Sequence, residues 1–177
     1  SVSVDPPILG FSLQARRGSA AIVAEAESFL VHLLDVGNLA LALIMSVPAF
    51  NLYTHGTHIT VAHSMGTTIG INTTILFSAL FFIVHQIYPD FQTDRKWVKR
   101  GFVSFNISLF IFFVSLIIAG AKRSYWMYVS KAGSFSEMQD SIIPYYISFF
   151  LFGIGIFVSL SIVAIPLFKA FLQKIKT

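Results

Sequence analysis

The sequence predicts an all-α membrane protein with four transmembrane helices, and three observations carry that expectation. Charge is scarce: 11% of residues are charged and 55% hydrophobic, whereas soluble domains carry about a quarter charged residues. Mean hydropathy is +0.76. The uncharged runs are long: no Asp, Glu, Lys or Arg occurs in the 54 residues between Asp35 and Asp90, over 101–121 or over 141–168. A span needs about 20 apolar residues. The first run therefore holds two spans, separated by the polar break from Asn51 to His58. The spans are placed at about 26–50, 59–87, 101–121 and 142–168, so that 25–177 form a four-helix transmembrane segment and 1–24 an N-terminal loop or linker.

The first span opens with Glu25, Glu27, His32 and Asp35. Ionisable groups in lipid are expensive, so these side chains are expected at the interfacial end or against protein. His32 and Asp35, three apart, fall on one face. Residues 1–24 hold Pro6-Pro7 and Arg16-Arg17 with small residues between. They lack the charged start, apolar core and small-residue cleavage site of a signal peptide. The chain does not open with Met, and a natural subunit and a piece of a longer chain both stay open.

Four spans bring both termini to one side. That side collects nine of the twelve basic residues: Arg16, Arg17, Arg95, Lys96, Lys99, Arg100, Lys169, Lys174 and Lys176. The other side holds Lys122, Arg123 and Lys131. Basic residues concentrate on the cytoplasmic face, so both termini are expected in the cytoplasm, with the loops around His55 and Lys131 outside. The absence of Cys excludes disulfides, iron–sulfur clusters, thiolate zinc sites and a c-type haem attachment. No basic patch interleaved with stacking aromatics points to nucleic acid. No hydrolase, metalloprotease or phosphate-loop motif occurs.

The chemistry lies in residues 53–72, where three of the five histidines, His55, His58 and His63, fall within nine residues. Neutral imidazole is a common ligand for haem iron, zinc and copper. His63 sits about one turn inside the span, where it needs a partner: haem iron, or a carbonyl on a neighbouring helix. Met65 is two residues on, about 200° around a helix. His63 and Met65 therefore point to opposite flanks and do not chelate one ion together. Met65 is either an axial thioether ligand or ordinary packing. Gly66 and Gly70 form a small-xxx-small pair, which serves close helix packing or leaves room for a flat macrocycle. His55 and His58 have no accompanying carboxylate, and bond to loops or to cofactor propionates. His58 returns to the face of Met65 about 10 Å along the axis and is the fallback iron ligand. His85 is expected at an interface.

The run Tyr53 to Gly70 resembles helix ten of the large haem-bearing subunit of bacterial nitric oxide reductases, in the haem–copper oxidase superfamily. The family pattern is Tyr, two residues, Gly-Thr, two residues, Thr, two residues, His-x-His, and Gly five residues later. Tyr53, Gly56-Thr57, Thr60, His63 and Gly70 are in register. Ser46-Val47-Pro48 and Asn51 resemble the end of helix nine. Ala119-Gly120 and the segment Phe135 to Gln139 with Tyr145-Tyr146 resemble, more weakly, helices eleven and twelve. The resemblance implies the C-terminal four helices, nine to twelve, of a twelve-helix haem–copper oxidase-like bundle, in a bacterial inner membrane.

It implies roles as well. His63 matches the ligand of high-spin haem b3, beside which a non-haem iron completes the nitric oxide site. Position 65 matches the His that ligates low-spin haem b, and here it is Met65. The family's non-haem iron ligands, three His and a Glu, lie on earlier helices and are absent. A partner chain carrying the remaining helices would supply that iron, and a cytochrome c subunit or quinol the electrons. The expected function is respiratory reduction of nitric oxide to nitrous oxide, a denitrification step. The alternatives are a non-catalytic haem-binding or assembly subunit of a respiratory complex, and an oxygen-reducing member of the superfamily.

Overall fold

The computed structural model describes residues 36–87 and 95–175. Helix α1 (Val36–Ser46) bends by 107° into α2 (Pro48–Thr54). A tight turn leads to α3 (His58–Met65), which continues through a π-helical turn, π1 (Gly66–Asn72), into α4 (Thr73–Ile87). Helix α5 (Arg95–Tyr125) ends in a second π-helical turn, π2 (Trp126–Ser130), and α6 (Phe135–Ile175) completes the chain. No strand occurs among the described residues. Among the described residues three helices are long and apolar enough to cross a membrane, or four if the bent pair α1–α2 is one span.

The expected second, third and fourth spans are present as helices. The expected first span, 26–50, is not one straight helix where it is described. Its break falls at Val47, which is extended (φ −76°, ψ 121°) before Pro48 at the start of α2. Proline has no N–H to continue the ladder and disfavours helical geometry in the residue before it. Glu25, Glu27, His32 and Asp35, like the 1–24 loop, lie outside the described residues.

Helix α5 is the buried centre. Val98, Phe102, Phe105, Leu109, Phe112 and Leu116 are each no more than 8% exposed. Their alternating spacing of four and three residues draws one apolar stripe along the helix. Ala62, Met65, Ile69, Phe77 and Phe81 pack on it from the α3–α4 side, and Phe149, Phe152, Ile156, Leu160 and Val163 from α6.

In lipid, apolar side chains gain nothing by leaving lipid for protein. Close packing and interhelical hydrogen bonds hold spans together. Both are present. Ser159 Oγ meets Ser104 Oγ at 3.0 Å, and Ser115 Oγ meets Ser148 Oγ at 2.8 Å. Small residues mark the crossings. A Cβ on Gly101 would stand 2.8 Å from Val163, and one on Gly155 2.8 Å from Ser108 Oγ. The outward faces remain apolar, with Leu76, Phe150, Phe157 and Phe168 exposed, as a bilayer permits.

At the other end of α5, the chain reverses through Lys131 (φ 46°) and Gly133 (φ 77°). Helix α6 starts with a capping box: Ser134 N–H donates to Glu137 Oε2 at 2.8 Å, and Glu137 N–H to Ser134 Oγ at 3.3 Å.

Candidate haem-ligand helix

The turn before α3 is built by residues of the Tyr53–Gly70 run. His55 closes α2, its N–H donating to Asn51 O at 2.8 Å. Gly56 takes φ +71°, a conformation that disfavours any side chain. Thr57 caps α3, accepting from Ile59 N–H at 3.3 Å and donating to Thr54 O at 2.6 Å. Thr60 Oγ1 donates to the same carbonyl at 2.9 Å. The Tyr53 ring meets Tyr128 edge-on at 5.1 Å, tying this turn to π2. The Tyr, Gly, Thr and Thr of the run therefore aim α3 into the bundle. Ile59 seats on Gly120: a Cβ there would stand 2.5 Å from Ile59 N.

His63 lies one and a half turns into this helix, half-buried. Its Nδ1 is 2.9 Å from Asn38 Oδ1 on α1. Asn38 is 4% exposed, and its Nδ2 donates to Thr67 Oγ1 at 2.8 Å. Thr67 Oγ1 in turn donates to His63 O at 3.2 Å. Among the described residues Nδ1 of His63 is thus occupied and Nε2 makes no hydrogen bond. An imidazole held by Nδ1, with Nε2 unbonded, is a donor that suits a haem iron.

Met65 is half-buried and packs against the α5–α6 core. Gly66 and Gly70 face protein. A Cβ on Gly66 would meet Asn38 Oδ1 at 3.0 Å and Phe113 at 3.1 Å, and one on Gly70 would meet Leu109 at 3.3 Å. Both glycines serve close packing on that side.

His58 is not placed with His63. Its Nε2 meets the Tyr146 hydroxyl at 3.1 Å, with the rings 5.1 Å apart. Among the described residues its Nδ1 is buried without a hydrogen-bond partner, as is Arg123 Nε at the end of α5. The Arg123 charge acts on His58 electrostatically. His58 and Arg123 thus bring to this corner two nitrogens without hydrogen-bond partners among the described residues, one of them on a cation. His55 is exposed and joins neither site. The side chain of His85 lies outside the described residues. No group of three or more His, Cys, Asp or Glu able to hold a metal ion occurs among the described residues.

Asn38 and the π1 turn were not legible as parts of this site. A lone amide inside the run Val36 to Met45 was the available signal for Asn38. For π1 it was the cluster Thr67, Thr68, Thr73 and Thr74. Thr73 Oγ1 donates to Thr68 O at 3.2 Å, five residues back, and Thr74 Oγ1 to Gly70 O at 2.6 Å. Single π-helical turns inside α-helices often accompany functional sites.

The fold and site define a class: a multi-pass, all-helical membrane protein with a histidine inside one span. Residues 28–156, well over half of the chain, match the family described as Cytochrome C and Quinol oxidase polypeptide I. The chain belongs to that family, the subunit I of the haem–copper oxidase superfamily. Oxidoreductase activity, haem binding and action within a multi-subunit membrane complex go with it. No curated protein and no solved structure matches the chain.

Proposed function

We propose that the chain is the C-terminal part of the catalytic core of a nitric oxide reductase. Two molecules of nitric oxide, two electrons and two protons give nitrous oxide and water. His63 is the axial ligand of high-spin haem b3, and Met65 that of low-spin haem b. The observation that carries this reading is His63 itself, on a spanning helix, with Nδ1 2.9 Å from Asn38 Oδ1.

When bound, the haem supplies the iron at which the substrate is reduced. The chain's own residues hold and insulate it. His63 would hold the haem iron, and the turn at Gly56 and Thr57 sets where His63 stands on α3. His58 and Arg123 offer donors for propionates. Among the described residues no carboxylate is bonded to His63, and in this reading protons come through other helices. A partner chain with those helices brings the non-haem iron, and a cytochrome c subunit or a quinol the electrons. The protein sits in a bacterial inner membrane with both termini in the cytoplasm, residues 25–177 forming its four-helix segment and 1–24 a loop.

Two competing readings have an observation each. The packing of Met65 into the α5–α6 core favours a haem-binding or assembly subunit without turnover. The oxidase name of the family favours oxygen as substrate. The purified complex, reduced and supplied with isotopically labelled nitric oxide or with oxygen, separates them by mass spectrometry. Labelled nitrous oxide supports the proposal. Oxygen consumption without nitrous oxide replaces it with the oxidase, and no consumption of either with the non-catalytic subunit.

A further inference from the structure

The hydrogen bonds around Asn38 run in a fixed direction. The His63 carbonyl can only accept, and Thr67 Oγ1 donates its one proton there at 3.2 Å. The hydroxyl is then an acceptor for Asn38 Nδ2, at 2.8 Å. That orients the amide: Oδ1, which can only accept, faces His63 Nδ1 at 2.9 Å. Nδ1 therefore carries the ring proton, and in a neutral imidazole the lone pair is left on Nε2. Turning the amide over would take the Thr67 proton away from the His63 carbonyl and put the lone pair on Nδ1.

The arrangement is built, not incidental. Asn38 is 4% exposed inside an apolar helix, where an amide without partners is costly. Gly66 makes the space: a Cβ there would stand 3.0 Å from Asn38 Oδ1 and 3.1 Å from its Cγ. Thr67 is the next residue along the same helix, one turn beyond His63.

We propose that Asn38, oriented by Thr67, is a positioning residue that sets the tautomer of His63 and strengthens its bond to haem iron. The inference rests on His63 as haem ligand. An acceptor on the far ring nitrogen raises ligand basicity, and losing such a partner typically lowers metal affinity about 10–100-fold.

The test is the iron–histidine stretching band in the resonance Raman spectrum of the reduced high-spin haem, in the complete complex. His63→Ala abolishes the band if His63 is the ligand; a band that survives overturns the ligand assignment and this inference with it. Given that loss, Asn38→Asp, a stronger acceptor of equal size, moves the band to higher frequency. Asn38→Leu and Thr67→Val move it lower and reduce haem retention, and Thr67→Ser restores both. If Asn38→Leu does not assemble, Asn38→Asp and Thr67→Val carry the measurement. A band unmoved in Asn38→Asp and Thr67→Val, with His63→Ala lacking it, overturns the role of Asn38 and leaves His63 as ligand.

Discussion

Tyr146 and His58 meet at 3.1 Å across 88 residues of sequence. The contact joins α6 to the first turn of α3. It occupies Nε2 of His58, while Nδ1 lies buried with no hydrogen-bond partner among the described residues. His58, the fallback for Met65, is thus better placed as an anchor than as a ligand.

Removing the hydroxyl tests that anchor. Tyr146→Phe leaves His58 Nε2 half-buried without its partner, which costs about 1–3 kcal/mol. Thermal unfolding of the detergent-solubilised complex should show the loss. The haem should keep its iron ligation in this variant and in His58→Phe, where loss of a propionate donor shifts the bands without removing them. A lost haem band in His58→Phe would return His58 to the ligand set.

Gly120 fixes how deep α3 sits. A Cβ would be 2.5 Å from Ile59 N and 3.1 Å from His58 C, both backbone atoms. Backbone cannot swing aside as a side chain does, so Gly120→Ala should destabilise by about 1–3 kcal/mol and shift the haem spectrum. Gly153 is the control. Its Cβ would meet Phe112 at an ordinary 3.6 Å, and Gly153→Ala should be neutral or stabilise by up to about 1 kcal/mol. Equal effects of the two substitutions would contradict the seat at Gly120.

Met65 is the departure from His-x-His, and its proposed role has a redox signature. Methionine raises haem potential relative to histidine. Met65→His should therefore lower the midpoint potential of the low-spin haem, and Met65→Leu should remove its His/Met near-infrared band. A spectrum indifferent to both makes Met65 packing alone.

The capping box at Ser134 and Glu137 takes no part in the His63, Asn38 and Thr67 hydrogen bonds and offers a test of stability apart from chemistry. Ser134→Ala should cost about 0.5–2 kcal/mol, seen as a lower unfolding temperature with an unchanged spectrum. A changed haem band would mean that the turn couples to the site.

Much of this architecture was legible in the sequence. Charge-free runs mark what lipid accepts, and they placed the second, third and fourth spans. They understated helix length: α5 runs from Arg95 to Tyr125, through Lys122 and Arg123, because a helix continues past the hydrocarbon while hydropathy reads only the part inside it. Pro48 was visible, yet the 107° bend it accompanies was absorbed into one span, since a proline-broken helix and a continuous one share a composition. His63 stood out because an intramembrane histidine needs a partner. Asn38 did not, because a contact across 25 residues depends on how α1 crosses α3, and no local pattern encodes that crossing. The close-packing role of Gly66 and Gly70 likewise emerged only with Asn38, Phe113 and Leu109 in place.

The central claim is that His63 binds haem. Reduced-minus-oxidised and magnetic circular dichroism spectra of the purified complex, compared with its His63→Ala variant, test it most directly. The account predicts a high-spin haem b in the parent that is lost from the variant, with the low-spin haem retained. A high-spin haem that persists without His63, or a parent complex with no haem, would contradict it.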